Sequence, residues 1–313
     1  MKFYQNFMGV KPYLQLLALL IMSVVFLIIG SFVSMMFMPL FTSGDDMLGS
    51  VTTVMENVSF MRFLQGSTQI FYMLIPSLLF GFMFYPSIVD FFKMRFSRGQ
   101  ITITLCGIAM FVAMIPFVDC VTRCNNAIHL PDSMAALETA IRDMGLESER
   151  MVEMFLTEKG GIGIFLANMV VMAIIPAVTE ELIFRGAIQQ TCAKWFKNYH
   201  VAIVVTAALF SIIHFDLFNF VPRFVMGIVL GYLFYFSGSI WTSVCAHFFN
   251  NGVIVVLYYF LGYNSTETIN FDSIVLNVVS VVLSLVSSAV LMYAGVRSMK
   301  KNVVAESSAN STE

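Results

Sequence analysis

The chain has 313 residues, 58% of them hydrophobic and only 12% charged, with 17 Lys and Arg set against 19 Asp and Glu for a formal net charge of −2. A soluble domain of that length needs more charge to cover its surface, and a mean hydropathy of +0.84 with 32 Phe and 23 Met implies a surface that mostly meets lipid. A soluble fold is thereby excluded, and the lack of a basic tract excludes nucleic acid as a partner.

Apolar segments recur at 14–38, 68–89, 101–118, 162–178, 201–213, 221–236, 240–261 and 274–296. The first is too long for a signal-peptide core and has no small-x-small cleavage site, so it reads as a retained span. The fifth is short and needs flanking residues to cross a hydrocarbon core of about 30 Å. None shows the ten-residue alternation of a membrane β-barrel. The expected fold is all-α, a polytopic membrane helix bundle with about eight transmembrane helices.

Loop charges orient that bundle. Lys2, Lys11, Lys93, Arg95, Arg98, Lys194, Lys197, Arg297, Lys300 and Lys301 fall in alternate connections, whereas Asp45, Asp46, Glu56, Glu267 and Asp272 fall in the others. The positive-inside rule then places both termini in the cytoplasm of a multi-pass cell-membrane protein. In the long connection 119–161, Asp132 is positioned to cap a helix carrying Met134, Leu137, Ile141 and Met144, and a second segment, 148–156, continues with Met151, Val152 and Phe155. Such a section lies on the membrane, lids the bundle, or simply packs helix against helix. The five cysteines lack disulfide-framework spacing; Cys120 and Cys124 are near across a turn but read as reduced. The chain thus divides into 1–160, membrane helices with an amphipathic extramembrane connection; 161–296, a membrane domain holding the unusual polar residues; and 297–313, a polar tail expected to be disordered.

Those polar residues begin in IIPAVTEELIFRGAIQQ, 174–190. Thr179 is expected to start a helix after Pro176, with Glu180 and Glu181 in its first turn and the fourth span leaving the membrane there, so that a site at Glu180 opens toward the cytoplasmic half. Glu181 and Arg185 are four apart and suit an intrahelical ion pair, while Glu180, about 100° around the axis, is left for chemistry. In LFSIIHFD, Phe210 and His214 share a face; in SIWTSVCAHFFNN, His247 and Asn251 do. Imidazole and amide groups inside lipid present donors and acceptors to something other than lipid. Peptide hydrolysis needs a base for water and donors for the oxyanion: Glu180 and His214 suit the first task, His247 and Asn251 the second. One carboxylate and two histidines are also a catalytic metal set, although no HExxH is present.

EELIFR, FSIIH and HFFNN, in this order on successive apolar segments, resemble the EExxxR, FxxxH and HxxxN motifs of the CAAX-processing and bacteriocin-processing intramembrane endopeptidases, the CPBP or Abi family. The resemblance covers about 161–259 and makes 161–296 the catalytic domain. It implies Glu180 as the glutamate that works with His214 on the attacking water, Glu181 and Arg185 as its supporting pair, His247 with Asn251 as the oxyanion-stabilising pair, and Phe210 as a shaper of the pocket. It favours a mechanism without a metal ligand role, so the cofactor is unknown, with zinc still compatible with the residue set. Implied partners are the lipid bilayer and a membrane-associated protein or peptide substrate, lipidated or not. The alternatives are a nonproteolytic membrane scaffold or immunity protein, and a proton-coupled transporter; the latter is expected to show paired discontinuous helices in both halves, whereas the polar residues here cluster after Ile162.

Overall fold

The computed structural model describes residues 5, 7, 9–41, 57–158, 160–262 and 274–310, the last range as backbone only for 274–277 and 301–310. The charges at Lys2, Asp45, Asp46, Glu56, Glu267 and Asp272, and the last three residues of the tail, lie outside them. Among the described residues all regular structure is helical. The ten main helices are α1 (Pro12–Met36), α2 (Val58–Phe84), α3 (Ile101–Ala113), α4 (Ile115–Asn126), α5 (Ala135–Thr157), α6 (Gly161–Phe196), α7 (Tyr199–Ile212), α8 (Phe220–Ser237), α9 (Ile240–Leu261) and α10 (Ile274–Asn310).

Six of these are long and apolar enough to cross a membrane, or seven if α3 and α4, bent by 48° at their junction, form one span. The protein is a multi-pass membrane protein, but the expected count of eight exceeds what the helices supply. The expected fifth span is α7, whose 14 residues reach only about 21 Å at 1.5 Å per residue, against a core of about 30 Å. The bend after α3 has a covalent cause: Pro116 offers no N–H to the preceding turn and its ring crowds the carbonyl four residues back. The last helix passes Val296 and continues through the first residues of SSANSTE to Asn310.

Two prolines sit inside helices without breaking them. In α2 a π-helical stretch, Ile70–Leu74, precedes Ile75 and Pro76; in α6 another, Met169–Ile174, precedes Ile175 and Pro176. Widening the helix to i→i+5 bonds gives new donors to carbonyls that the proline leaves without one. The expectation that Thr179 starts a helix therefore fails: α6 runs unbroken past Pro176, and Glu180 and Glu181 lie mid-helix.

Hydrogen bonds between connections define the two ends of the bundle. At one, the Ile240 amide donates to the Lys93 carbonyl (3.1 Å), Gln100 Nε2 to Ser237 O (2.9 Å) and Lys194 Nζ to Tyr85 Oη (3.1 Å), while Tyr85 Oη donates to Gln15 near the start of α1 (3.1 Å). Lys93, Arg95, Arg98, Lys194 and Lys197 gather here, and we call it the basic end. At the other, Asn57 Nδ2 donates to Phe41 O (2.7 Å) and Asn125 Nδ2 to Leu217 O (3.0 Å). This end carries α5, with Glu147, Glu149 and Glu153 among its exposed residues, and is the acidic end. A buried aromatic core that includes Phe80, Phe91, Phe92, Phe184 and Phe234 fills the bundle toward the basic end. Phe92 fits because Gly81 and Gly186 flank it: a Cβ at Gly186 would lie 2.4 Å from Phe92 Cδ1, and one at Gly81 2.8 Å from Cε2.

Of the expected connection 119–161, residues 119–126 continue α4, and the two segments expected after Asp132 form one 23-residue helix, α5. Asp132 makes no side-chain cap; Asp132–Met134 is a short 3-10 turn before it. Glu138 does the fastening: its carboxylate accepts from the Leu130 amide (2.7 Å) and from Arg142 Nε (2.9 Å), and its pKa is pushed down to about 2, chiefly by the Leu130 bond and then by Arg142. A depressed carboxylate contributes stability that is complete above its unfolded pKa, about 4.5, and is lost as pH falls through about 2. Amide exchange at 128–142 is therefore expected to rise between those two values and to be fast already at neutral pH in Glu138→Gln; an exchange rate unaltered by either change would remove Glu138 from this role.

Candidate functional site

The C-terminal part of α5 is clamped onto the bundle by Arg62 of α2. Its Nη2 donates to Phe155 O (2.9 Å), its Nε to Asn168 Oδ1 (2.7 Å), and its Nη1 pairs with Glu158, while Asn168 Nδ2 also donates to Phe155 O (2.7 Å). Beneath this clamp lies a cavity of about 1010 Å³. Glu180, Phe210, His214, His247 and Asn251 all line it, alongside Gln69 and Tyr72. Three helices, α2, α6 and α9, and the turn after α7 that holds His214 thus bring polar groups far apart in sequence to one space.

Glu180 and Glu181 are both buried but face different neighbours. Glu180 is on the cavity wall; its Oε1 accepts from Gln69 Nε2 at 2.8 Å, and its Oε2 lies 3.9 Å from His247 Nε2. Glu181, with 0% exposure, does not line the cavity; its Oε1 lies 3.0 Å from Arg185 Nη1 and accepts from His247 Nδ1 at 2.9 Å. The i,i+4 ion pair is made. Arg185 also donates from Nη2 to the Gly227 carbonyl (3.1 Å) and lies over the Phe210 ring, 4.9 Å from its centroid. Gly227 and Gly231 let α8 come close enough to α7 for that: a Cβ on Gly227 would be 2.9 Å from Ala207 Cβ.

These partners assign the tautomers of both imidazoles. A carboxylate only accepts, so His247 carries its proton on Nδ1, toward Glu181. A carbonyl only accepts, so His214 likewise holds a proton on Nδ1, donated to Phe210 O at 2.7 Å. In each ring Nε2 is the nitrogen left for other partners. Phe210, fully buried, packs between the two, with ring centroids 5.1 Å from His214 and 6.2 Å from His247. Asn251 Oδ1 accepts from Asn250 Nδ2 (3.1 Å), which leaves the Asn251 amide nitrogen as the donor end. Among the described residues no three His, Cys, Asp or Glu side chains are grouped closely enough to hold a metal ion.

Glu180 does not stand at the end of a span, because α6 continues to Phe196 at the basic end. The cavity instead draws its walls from the halves of the helices toward the acidic end. Sequence reasoning also missed Gln69. The signal was present, since a glutamine inside the apolar segment 68–89 raises the same question of partners as a histidine does. Gln69→Leu is expected to lower kcat by roughly 10–100-fold, the equivalent of a hydrogen bond to a charged group. KM and thermal stability should change little, and Gln69→Asn should recover activity only in part; a variant that alters KM alone would make Gln69 a wall residue rather than a positioning residue.

Residues 162–253, less than a third of the chain, match the family model Rce1-like, described as Type II CAAX prenyl endopeptidase Rce1-like. The matched segment carries Glu180, His214 and His247, and the description of the model agrees with the family that the three motifs resemble. No curated protein and no solved structure matches the chain.

Proposed function

We propose that the protein is an intramembrane endopeptidase that hydrolyses peptide bonds in membrane-associated proteins or peptide precursors, lipidated or not. The observation that carries this reading is the 3.9 Å approach of Glu180 Oε2 to His247 Nε2 on the wall of a cavity that His214 and Asn251 also line. Glu180 Oε2 accepts a proton from water as the oxygen bonds to the scissile carbonyl carbon, with His214 Nε2 as the second acceptor in reach of the cavity. The resulting oxyanion is held by the Asn251 amide nitrogen and by His247 Nε2 when that nitrogen carries a proton, the ring being fixed through Nδ1 by Glu181. Collapse breaks the C–N bond, and the proton held by Glu180 passes to the leaving amine.

This assigns water activation to Glu180 rather than to a metal ion. Purified protein incubated with a library of lipidated and unlipidated membrane peptides should yield cleavage products by mass spectrometry, at the same rate after chelator treatment. Activity that disappears with the chelator and returns with one equivalent of zinc would replace the glutamate mechanism by a metal one. No cleavage of any library member by folded protein would favour the nonproteolytic scaffold or immunity role. We further propose that the basic end is cytoplasmic, which puts both termini on that side and makes α7 the short element of an eight-span bundle.

A further inference from the structure

We propose that the cavity opens to the membrane face opposite the Lys- and Arg-rich one, so that the substrates of the endopeptidase proposed above are membrane-associated segments presented on the non-cytoplasmic side. The proposal rests on that functional reading for the word substrate, but on separate observations for the face.

The cavity wall is one-sided. In α2 it is formed by Met61, Gln65 and Gln69, near the end clamped to α5; in α4 by Ile115, Val118 and Asp119; in α5 by Ser148, Met151 and Phe155. No residue of the connections that meet at the basic end contributes to it. In that direction the space is filled, since Phe80, Phe92, Phe184 and Phe234 are each no more than 2% exposed and Phe92 is wedged between two glycines. The cavity wall thus runs from Glu180 toward the acidic end, under α5, while packed aromatic rings fill the bundle toward the basic end.

The charges then decide which end is which. Lys93, Arg95, Arg98 and Lys197 occupy short connections next to apolar helices and Lys194 the last turn of α6, the placement in which Lys and Arg set orientation. Asp90 is the one acidic residue in those connections. The helix α10 passes Ala113 at Ser284, whose Oγ donates to that carbonyl (2.6 Å), and comes close to Ile103 at Gly295, which carries Arg297 and Lys300 toward the same basic end. A cavity sealed toward the cytoplasmic end meets segments on the other side. Prenylated C-terminal tails with basic flanks gather at the cytoplasmic leaflet and would face the closed end.

The test uses the full chain in a bacterial inner membrane. Cys124 is exposed on α4 at the acidic end, and the substitution Arg98→Cys places a second thiol at the basic end. A membrane-impermeant maleimide is added to spheroplasts or to inverted vesicles, and the labelled residues are mapped by mass spectrometry. Cys124 is expected to label in spheroplasts, and the thiol introduced by Arg98→Cys only in inverted vesicles; the reverse pattern overturns the proposal. In the same preparations, an impermeant quenched-peptide library should be cleaved in spheroplasts carrying wild-type protein and not in those carrying Glu180→Gln. Cleavage confined to inverted vesicles also overturns it. If neither preparation cleaves, the endopeptidase reading and the substrate class fall together, and the labelling alone decides the face.

Discussion

Glu180→Gln should lower kcat by about 10²–10⁴-fold, the range for loss of a positioned general base, in a protein that remains folded. The substitution keeps the size of the side chain and an oxygen that can still accept from Gln69 Nε2, now 2.8 Å from Oε1. What it removes is the proton acceptor at Oε2, beside His247 Nε2. Because water is activated only as the carbonyl is attacked, the loss belongs in kcat, with KM nearly unchanged. Steady-state kinetics alongside thermal unfolding in detergent check this. A Gln variant that turns over at the wild-type rate would move water activation to another group, with His214 the next acceptor on the cavity wall.

The second large effect is on folding. Arg185→Met should destabilise the protein by about 3–5 kcal/mol, the penalty for breaking a buried ion pair from one side. Glu181 has no exposure and Arg185 is 1% exposed, so no water can take the place of the guanidinium. The variant strands a carboxylate, frees the Gly227 carbonyl, and loses the cation stacked on Phe210. It should also blunt catalysis, because Glu181 holds His247 by Nδ1. Adding Glu181→Gln to Arg185→Met removes the stranded charge and is expected to return part of the stability without the activity, since His247 Nδ1 loses the carboxylate that orients its ring. A single Arg185→Met protein that unfolds at the wild-type temperature would contradict the buried-pair account.

Much of this site was legible in the sequence because lipid makes polar residues conspicuous. His214, His247 and Asn251 stood out in apolar segments, and the four-residue spacing of Glu181 and Arg185 gave their pair directly. Helix boundaries were harder. Pro176 looked like a helix start because proline removes a donor, yet the six-residue π-helical stretch before it absorbs that defect, a device with no signature in residue type alone. The same blindness moved Glu180 from mid-helix to a span exit. Gln69 was passed over for another reason: its partner is 111 residues away, and pairing across that distance depends on how α2 packs against α6. The short α7 shows that hydropathy locates apolar segments without settling whether each is long enough to cross.

The central claim, that this membrane cavity hydrolyses peptide bonds through Glu180, is tested most directly by comparing the new protein termini and released peptides in membranes of cells carrying wild-type protein or Glu180→Gln at equal folded levels. A discrete set of termini present only with the wild type is the expected result. Identical termini in the two would contradict it.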